Sequence, residues 1–528
     1  MMTSNNTPPS SPPGEPISRR LKLKPVDRAQ MVMRAIEVDQ LVAADNPVRS
    51  IWAFVGQLDL GLFYEPILSR EGSVGRSAHD PQVLICLWLW AYGEGIGSAR
   101  ELSRRCEDHP ACQWLTGLEP VNYHTLSDFR IGYHRALNDL FVQALGVLSA
   151  EGLITLKRVD HDGTKIRADV SFDSFRRGKT LADHLQAARQ QVAALADPHG
   201  PETTPRQKAA RKRAARERQD RLERAMNTWT RLDQNRRKNQ DTNKDQEDKG
   251  NQGKSKSKGK GKEKIRVSRS EPDCRIMKHR GGGRLPSHNI QLTTDGERGL
   301  LVGVAATDHP VDQGLLEPGL DRVRENLGLD PDTAVTDGGY VNREAVLAMA
   351  RRSTQWIAPP LPVKTGGLGR LARRGVALEF YPEHFIYNAE EDLYRCPAGQ
   401  ELPKISTEQS DSVIRHIYAA KKEVCRACPN RDRCCPGTQT RGRSITKFEE
   451  RPQVADFQEK MNRPEIKTEY KRRGQLVEFP IAWIKEKMKF RRFHVRGRAK
   501  AGLEMLWVGL AYNLIQWIRY TRTPAVNG

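Results

Sequence analysis

The chain has 528 residues, room for roughly three domains at about 150 residues each, which excludes a single small binding module. Apolar residues make up 37%; with glycine the total is about 45%, the lower edge of the globular range, so a sizeable core is expected with polar segments outside it. Lys and Arg number 87 against 65 Asp and Glu, a net charge of +22 that draws a protein to polyanions and makes nucleic acid the first partner to consider.

In chain order, residues 1–30 are rich in Ser, Thr and Pro with Arg19, Arg20, Lys22 and Lys24 but no apolar centre; they read as a disordered basic tail, not a secretory signal. Residues 31–150 carry apolar side chains at three and four spacing, as in Val83, Leu84, Leu87, Trp88 and Ala91. This predicts a helical domain of the DNA-binding kind. Polar breaks at Gly95–Gly97 and Asn122–Thr125 divide it, and Thr125-Leu-Ser-Asp128 reads as a capped helix start. Arg100, Arg104, Arg105 and the segment His124–Arg130 are its candidate DNA contacts, the alternative being a solvated basic face.

Over residues 151–175 the pattern turns β-favouring, from Leu153 to Ile166, and carries Asp160-His-Asp162-Gly-Thr at its end. Residues 176–264 interrupt it with an Ala/Arg/Gln/Glu-rich helical arm from Leu181 to Lys238, then a polar run from Asn239 to Lys264 too lysine-rich to bury anything. The arm's many arginines and its single Trp229 favour phosphate contact over base stacking, unless it merely covers the core. Residues 265–379 resume with short apolar runs at Ile290–Thr293, Leu300–Ala306, Thr333–Val335 and Gln355–Ile357 and a helical stretch at Val311–Leu327. Strands with helices between them imply an α/β core. Residues 380–450 hold five of the nine cysteines, and residues 451–528 read as largely helical. The most apolar runs, Val83–Tyr92 and Met505–Ile518, are short or carry Asn513 and Gln516, so no membrane span is expected.

Cys425-x2-Cys428-x5-Cys434-Cys435, with Cys396 upstream, offers four soft ligands for tetrahedral Zn2+. The candidate set is Cys396, Cys425, Cys428 and Cys434, with Cys435 competing for the last place and metal-free buried thiols as the alternative. Nine cysteines are too sparse for a secreted disulfide framework, which points to the cytoplasm, beside a bacterial nucleoid.

Three acids stand in distinct contexts: Asp162-Gly-Thr-Lys-Ile-Arg-Ala, Thr336-Asp337-Gly-Gly-Tyr340, and Tyr470-x2-Arg473-x4-Glu478-x6-Lys485. Together they resemble the catalytic core of bacterial insertion-sequence transposases of the DDE type. Gly97-Ser-Ala-Arg-Glu-Leu102, Trp114-Leu-Thr-Gly117 and Thr125-Leu-Ser-Asp-Phe-Arg130 are similar to that family's N-terminal domain. His288-Asn-Ile-Gln291, Arg491-Arg-Phe493, Arg496-Gly497 and Ala511-Tyr-Asn-Leu514 are similar to landmarks of its core and C-terminus, so the resemblance spans about residues 31–519.

The resemblance implies an α/β fold with an RNase-H-like core and Asp162, Asp337 and Glu478 as ligands of Mg2+ or Mn2+. It implies binding of terminal inverted repeats, cleavage at the element's ends, joining of the 3′ hydroxyls to target DNA, and a homo-oligomer on DNA. Tyr470, Arg473 and Lys485 inherit roles in holding phosphates. Hard divalent ions prefer carboxylate oxygens, and phosphoryl transfer uses two of them. Glu478 and Lys485 are seven residues apart, two helical turns, and are expected on one face. Pro480 argues for Glu478 in a first turn. Asp160, two residues from Asp162, is a rival ligand or a salt-bridged acid; Asp169, Asp173, Glu486 and Glu504 are weaker rivals. His161 reads as a structural neighbour rather than a base. An inactive, transposase-derived DNA-binding regulator is the competing function, and a general RNase-H-like nuclease a third.

Overall fold

A computed structural model describes residues 29, 31, 33, 35–69, 77–195, 204–247, 265–279, 281–361, 368–409, 413–436 and 442–522. The readings of residues 1–30, apart from residue 29, and of the lysine-rich run within 248–264 lie outside them. The chain is mixed α/β. It opens with helices α1 (Pro47–Gly56), α2 (Gly61–Tyr64), α3 (Pro81–Gly93), α4 (Ala99–Asp108), α5 (Pro110–Thr116), α6 (Tyr123–Gly132) and α7 (His134–Ala150). α3 is buried on almost every side, from Leu84 to Tyr92, because α1 covers one face and the C-terminal helix another. The start of α6 is set by Asn122, whose side chain accepts from His124 N at 2.8 Å. The expected cap at Thr125 is thereby corrected: Asn122 satisfies the free backbone donors first, and Thr125 falls inside the helix.

The central sheet contains β1 (Arg158–Arg167), β4 (Arg275–Lys278), β5 (Arg284–Asp295), β6 (Leu301–Thr307), β7 (Thr333–Val335) and β8 (Gln355–Ile357), after the small pair β2 (Phe175–Arg176) and β3 (Val267–Ser268). The order runs β6–β5–β1–β7–β8, with β4 also on β5. β5 is antiparallel to β1 and β6, whereas β1, β7 and β8 are parallel. β1 begins at Arg158 rather than Leu153. The preceding N–H groups of Thr155 and Leu156 donate to the buried Asp295 carboxylate, both at 3.0 Å, and Leu156 has φ +56°, so the chain turns before it can pair.

Between β2 and β3 stand α8 (Gly178–Ala194) and α9 (Pro205–Glu247), which pack on each other through Leu181, Leu185, Ala188, Leu222 and Ala225. α9 runs past Asn239, where a loop is expected; Gln, Asn, Asp and Lys continue a helix once it is propagating, and Gly250 is the first strong breaker in the sequence. After β6 come α10 (Leu316–Leu327), α11 (Arg343–Met349) and α12 (Leu368–Arg373). The cysteine-rich segment forms a separate antiparallel sheet of β9 (Ile386–Asn388), β10 (Leu393–Arg395), β11 (Glu401–Gln409), β12 (Val413–Ala419) and β13 (Ser444–Glu450), with α13 (Lys422–Ala427) and α14 (Arg431–Cys434) inserted before β13. The chain closes with α15 (Pro452–Asn462), α16 (Pro464–Lys471), α17 (Arg473–Ala482), a π-helical turn at Trp483–Lys487, and α18 (Arg498–Arg522). α18 lies on β6, α3 and α7, joining the helical N-terminal part and the sheet in one core that runs from Val42 to Ile518. No helix among the described residues is long and apolar enough to cross a membrane.

Candidate active site

The parallel register aligns Arg158, Val159 and Asp160 of β1 with Thr333, Ala334 and Val335 of β7. Asp162 and Asp337 therefore lie two residues beyond the same register pair; Asp337 stands just past the carboxyl end of β7, whereas Asp162, expected at a strand end, lies in the middle of β1, which runs on to Arg167 because it stays paired with β5. Burial pushes the Asp162 carboxyl up to about 6, against the pull of Arg473 and with a further push from the charges of Asp337 and Asp312. Asp337 is held by its own turn, accepting from Gly339 N at 2.8 Å.

The helices facing β1 supply the cations. Arg473, at the first position of α17, puts Nη2 3.0 Å from Asp162 Oδ2 and is only 13% exposed. Its Nε has no hydrogen-bond partner. Tyr470 is half-buried beside Arg473, Asp337 and Asp162, and burial raises its phenol pKa first, partly offset by Arg473. Lys485 donates from Nζ to Thr164 Oγ1, two residues along β1 from Asp162. Glu478 is exposed on α17. It is the sixth residue of the helix, and Pro480 lies inside the helix, so the expectation of a first-turn glutamate is corrected. The proline removes one backbone donor, and the wider π-helical turn at Trp483–Lys487 follows it directly. That turn also breaks the two-turn spacing between Glu478 and Lys485. Among the described residues no group of three or more His, Cys, Asp or Glu is arranged to hold a metal ion.

A second polar layer lies on the other side of β1 and was missed in the sequence. Asp312 accepts from Lys165 Nζ at 3.1 Å, Asn289 Nδ2 at 2.7 Å and Gln291 Nε2 at 3.0 Å. Gln291 in turn accepts from Tyr340 Oη at 2.6 Å and bonds His161 Nε2 at 3.0 Å. Gly163 is required here: a Cβ would fall on the Asp312 carboxylate and the Gln291 amide, far inside van der Waals contact. The sequence signal was the polar run His288–Gln291 with Gly163 opposite; nothing in its neighbourhood marks Asp312. His161 is fully buried, and burial lowers its pKa to about 4, so it is a neutral member of this layer, as read.

The rival acids are accounted for by partners. Asp160 is fully buried and held by Arg158 through two bonds of 2.9 Å. Asp169 pairs with Arg492 at 2.6 Å and Arg496 at 3.0 Å, Asp173 bonds Ser171, and Glu486 pairs with Arg491. Glu504 is buried against Tyr92, His494 and Arg130.

Two families match the chain, one described as a transposase DDE domain over residues 395–518 and one as a transposase domain over residues 36–131. Each matched region is thus similar to a transposase domain, at the C-terminal and N-terminal parts of the chain respectively. No curated protein and no solved structure matches it. The first match contains Tyr470, Arg473, Glu478 and Lys485 with the cysteines; the second contains the N-terminal arginines.

In that N-terminal transposase region, Arg130 is 5% exposed, lies 4.6 Å over the Trp88 ring and donates to Gly97 O at 2.6 Å. Its expected DNA contact is corrected: the guanidinium is spent inside the core, opposite Glu504. Arg100 is exposed and stacks on Tyr123 at 4.9 Å, and Arg104 is 73% exposed beside Glu101. The five cysteines near the second sheet line one small pocket. Gln400 N donates to Cys396 Sγ and Arg443 N to Cys425 Sγ, each at 3.3 Å. The thiols near Cys425 are Cys435, Cys396 and Cys428; Cys434, whose Sγ lies 3.8 Å from that of Cys435, shares with it the apolar cluster of Val376, Phe380 and Tyr381 and also lies near Cys396.

Proposed function

We propose that the protein binds the terminal inverted repeats of an insertion sequence, cuts DNA at its ends and joins the freed 3′ hydroxyls to target DNA. The observation that carries this reading is the strand register that sets Asp162 and Asp337 side by side with Arg473 and Tyr470 over them. The strand order β6–β5–β1–β7–β8, in which β5 alone runs antiparallel to β1, supports an RNase-H-like core. In this reading residues 31–150 and the arm bind DNA, the core cuts it, and the enzyme acts as a homo-oligomer because two ends must be cut.

Each side chain then has a task. Arg473 offers the unpartnered Nε–H to a phosphate oxygen, and Tyr470 and Lys485 flank the same middle stretch of β1. Asp162, half-titrated near pH 6, can hold or release a proton there. The Asp312 layer fixes the backbone of β1 beneath it. The carboxylate pair fits a hard divalent cation, and Asp162, Asp337 and Glu478 would hold Mg2+ or Mn2+, which when bound supplies Lewis-acid stabilisation of the phosphoryl oxygens. Glu478 joins the pair by reorienting from its exposed position on α17.

The test is cleavage of a labelled element end by purified protein with Mg2+. Asp162→Ala, Asp337→Ala and Glu478→Ala should each stop cleavage and leave the gel shift intact; cleavage that survives any of them sinks the assignment. The exposed Glu478 is the one observation favouring a catalytically inactive DNA-binding regulator, which would give a strong gel shift with no strand transfer in the unmutated protein. At the cysteine pocket we propose Zn2+ held by Cys396, Cys425 and Cys428 with Cys434 as fourth ligand and Cys435 competing for that place, because all five thiols line one pocket.

A further inference from the structure

α9 is 43 residues long, about 65 Å at 1.5 Å per residue. One side of it is committed to packing. Ala215, Leu222, Ala225 and Asp233 are buried, and the Trp229 ring occupies the space a Cβ on Gly178 would need. Trp229 is thus unavailable for stacking on a base. The root of the arm is clamped to the sheet, where Arg231 reaches Asp308 just beyond β6 at 2.8 Å, next to Arg275 at 2.6 Å on the same carboxylate.

At about 100° per residue, the buried positions gather on one side of the helix, and Arg206, Arg213 and Arg224 fall within about 20° of one another on the opposite side, with Arg216 roughly 60° away. All four are exposed, and none forms an ion pair with a described residue. Between Arg206 and Arg224 the sequence holds nine Lys and Arg against Glu217, Asp220 and Glu223, and Glu223 is taken by Arg189 of α8 at 3.0 Å. Glu217 and Asp220 are exposed on the same outer side, so the charge facing solvent over about 27 Å of this anchored helix is the excess of six exposed arginines, Arg206, Arg211, Arg213, Arg216, Arg218 and Arg224, over these two acids. That length matches about eight base pairs of duplex, whose phosphates repeat along a line of similar extent. A membrane surface is a poor fit, because the apolar side of α9 is already covered by α8.

Resting on the DNA reading above, we propose that the outer face of α9 is a sequence-independent grip on duplex DNA, with Arg206, Arg213, Arg216 and Arg224 each neutralising a backbone phosphate. The full chain and a variant carrying Arg→Gln at these four positions are compared for binding to a 40-base-pair duplex of arbitrary sequence, across salt from 50 to 200 mM. Glutamine preserves helix propensity. Losing four phosphate contacts should reduce the slope of log K against log salt by about 3.6, so that wild-type affinity falls roughly 150-fold further than the variant's over that range. The matching Arg→Lys variant should keep the wild-type slope. A slope in the Gln variant within about one of wild type overturns the proposal, as does a loss confined to one DNA sequence. Cleavage of the element end at low salt separates the two readings: if the slope is unchanged while Asp162→Ala still abolishes cleavage, only the grip fails.

Discussion

Replacing Asp162 by Asn should stabilise the metal-free protein while stopping its chemistry. The ordinary carboxylate pKa of 3.8 is raised to about 6 in the fold, and with about 1.4 kcal/mol per pH unit this corresponds to about 3 kcal/mol. The sign follows from which state binds the proton more tightly. Below pH 3.8 both folded and unfolded chains are protonated and the carboxyl contributes its full stability; as pH rises through 6 the folded state must hold a buried anion near Asp337 and Asp312, and that contribution is lost. About 1.6 kcal/mol has gone by pH 5 and about 1.4 kcal/mol more goes between pH 5 and pH 8. An asparagine pays none of this. Amide exchange of the peptide covering β1, compared between wild type and Asp162→Asn at each pH, reads the local opening free energy. The gap should widen in the variant's favour by about 1.4 kcal/mol from pH 5 to pH 8, and Mg2+ should narrow it by stabilising only the wild-type anion. A gap that stays flat with pH, or closes as pH rises, would refute the reasoning.

Other substitutions probe the neighbouring layers. Gly163→Ala should cost on the order of 2–4 kcal/mol, because its methyl displaces the Asp312 carboxylate from Lys165, Asn289 and Gln291; a melting temperature equal to wild type would contradict it. Arg130→Ala should lower stability by roughly 3–5 kcal/mol by leaving Glu504 without its buried cation, yet leave the DNA affinity of folded protein unchanged, measured by anisotropy. Purified protein should carry one Zn2+ per chain by elemental analysis, lost in Cys425→Ser and in Cys428→Ser; zinc retained in both variants, or no zinc in the unmutated protein, removes the proposed site.

How much of this could be read from the sequence depended on whether a residue's neighbours are near it in the chain. β7 and β8 fall where their three-residue apolar runs predict, since short buried parallel strands need little besides Val, Ile and Trp between polar ends. β5 extends well beyond Ile290–Thr293 because Ser287, His288, Asn289 and Gln291 are buried polar residues, satisfied by His279, Glu271, Asp312 and His161, which stand 8 to 130 positions away. Hydropathy reads such a run as surface. Arg130 was misread for the same reason: a lone arginine in a helix looks exposed until Trp88, Gly97 and Glu504 are folded around it. The pair Asp162 and Asp337 could be anticipated only as two acids after strands; their adjacency is a fact of the parallel register.

The placement of charge links these observations. The chain is strongly cationic, yet the site holds in Asp162 a carboxylate that burial makes reluctant to ionise, with Asp337 beside it, answered by the buried guanidinium of Arg473. A compact ion pair tuned for stability would depress the pKa of its acid; here the acid is raised in spite of its arginine, because burial outweighs the arginine's pull and Asp337 and Asp312 add to the rise. Such a site gains free energy when more positive charge arrives or when its arginine turns to a phosphate. The surrounding cationic surface serves the complementary step, drawing DNA toward a pocket whose own charge is negative. The two can operate together only if a cation sits between the carboxylates and the phosphate backbone. For that reason DNA affinity at this site should rise with Mg2+ in wild type, whereas in Asp162→Asn/Asp337→Asn, where that repulsion is already gone, DNA affinity should be indifferent to Mg2+ in an anisotropy titration. Equal Mg2+ dependence in both proteins would mean that these two acids do not govern the ion.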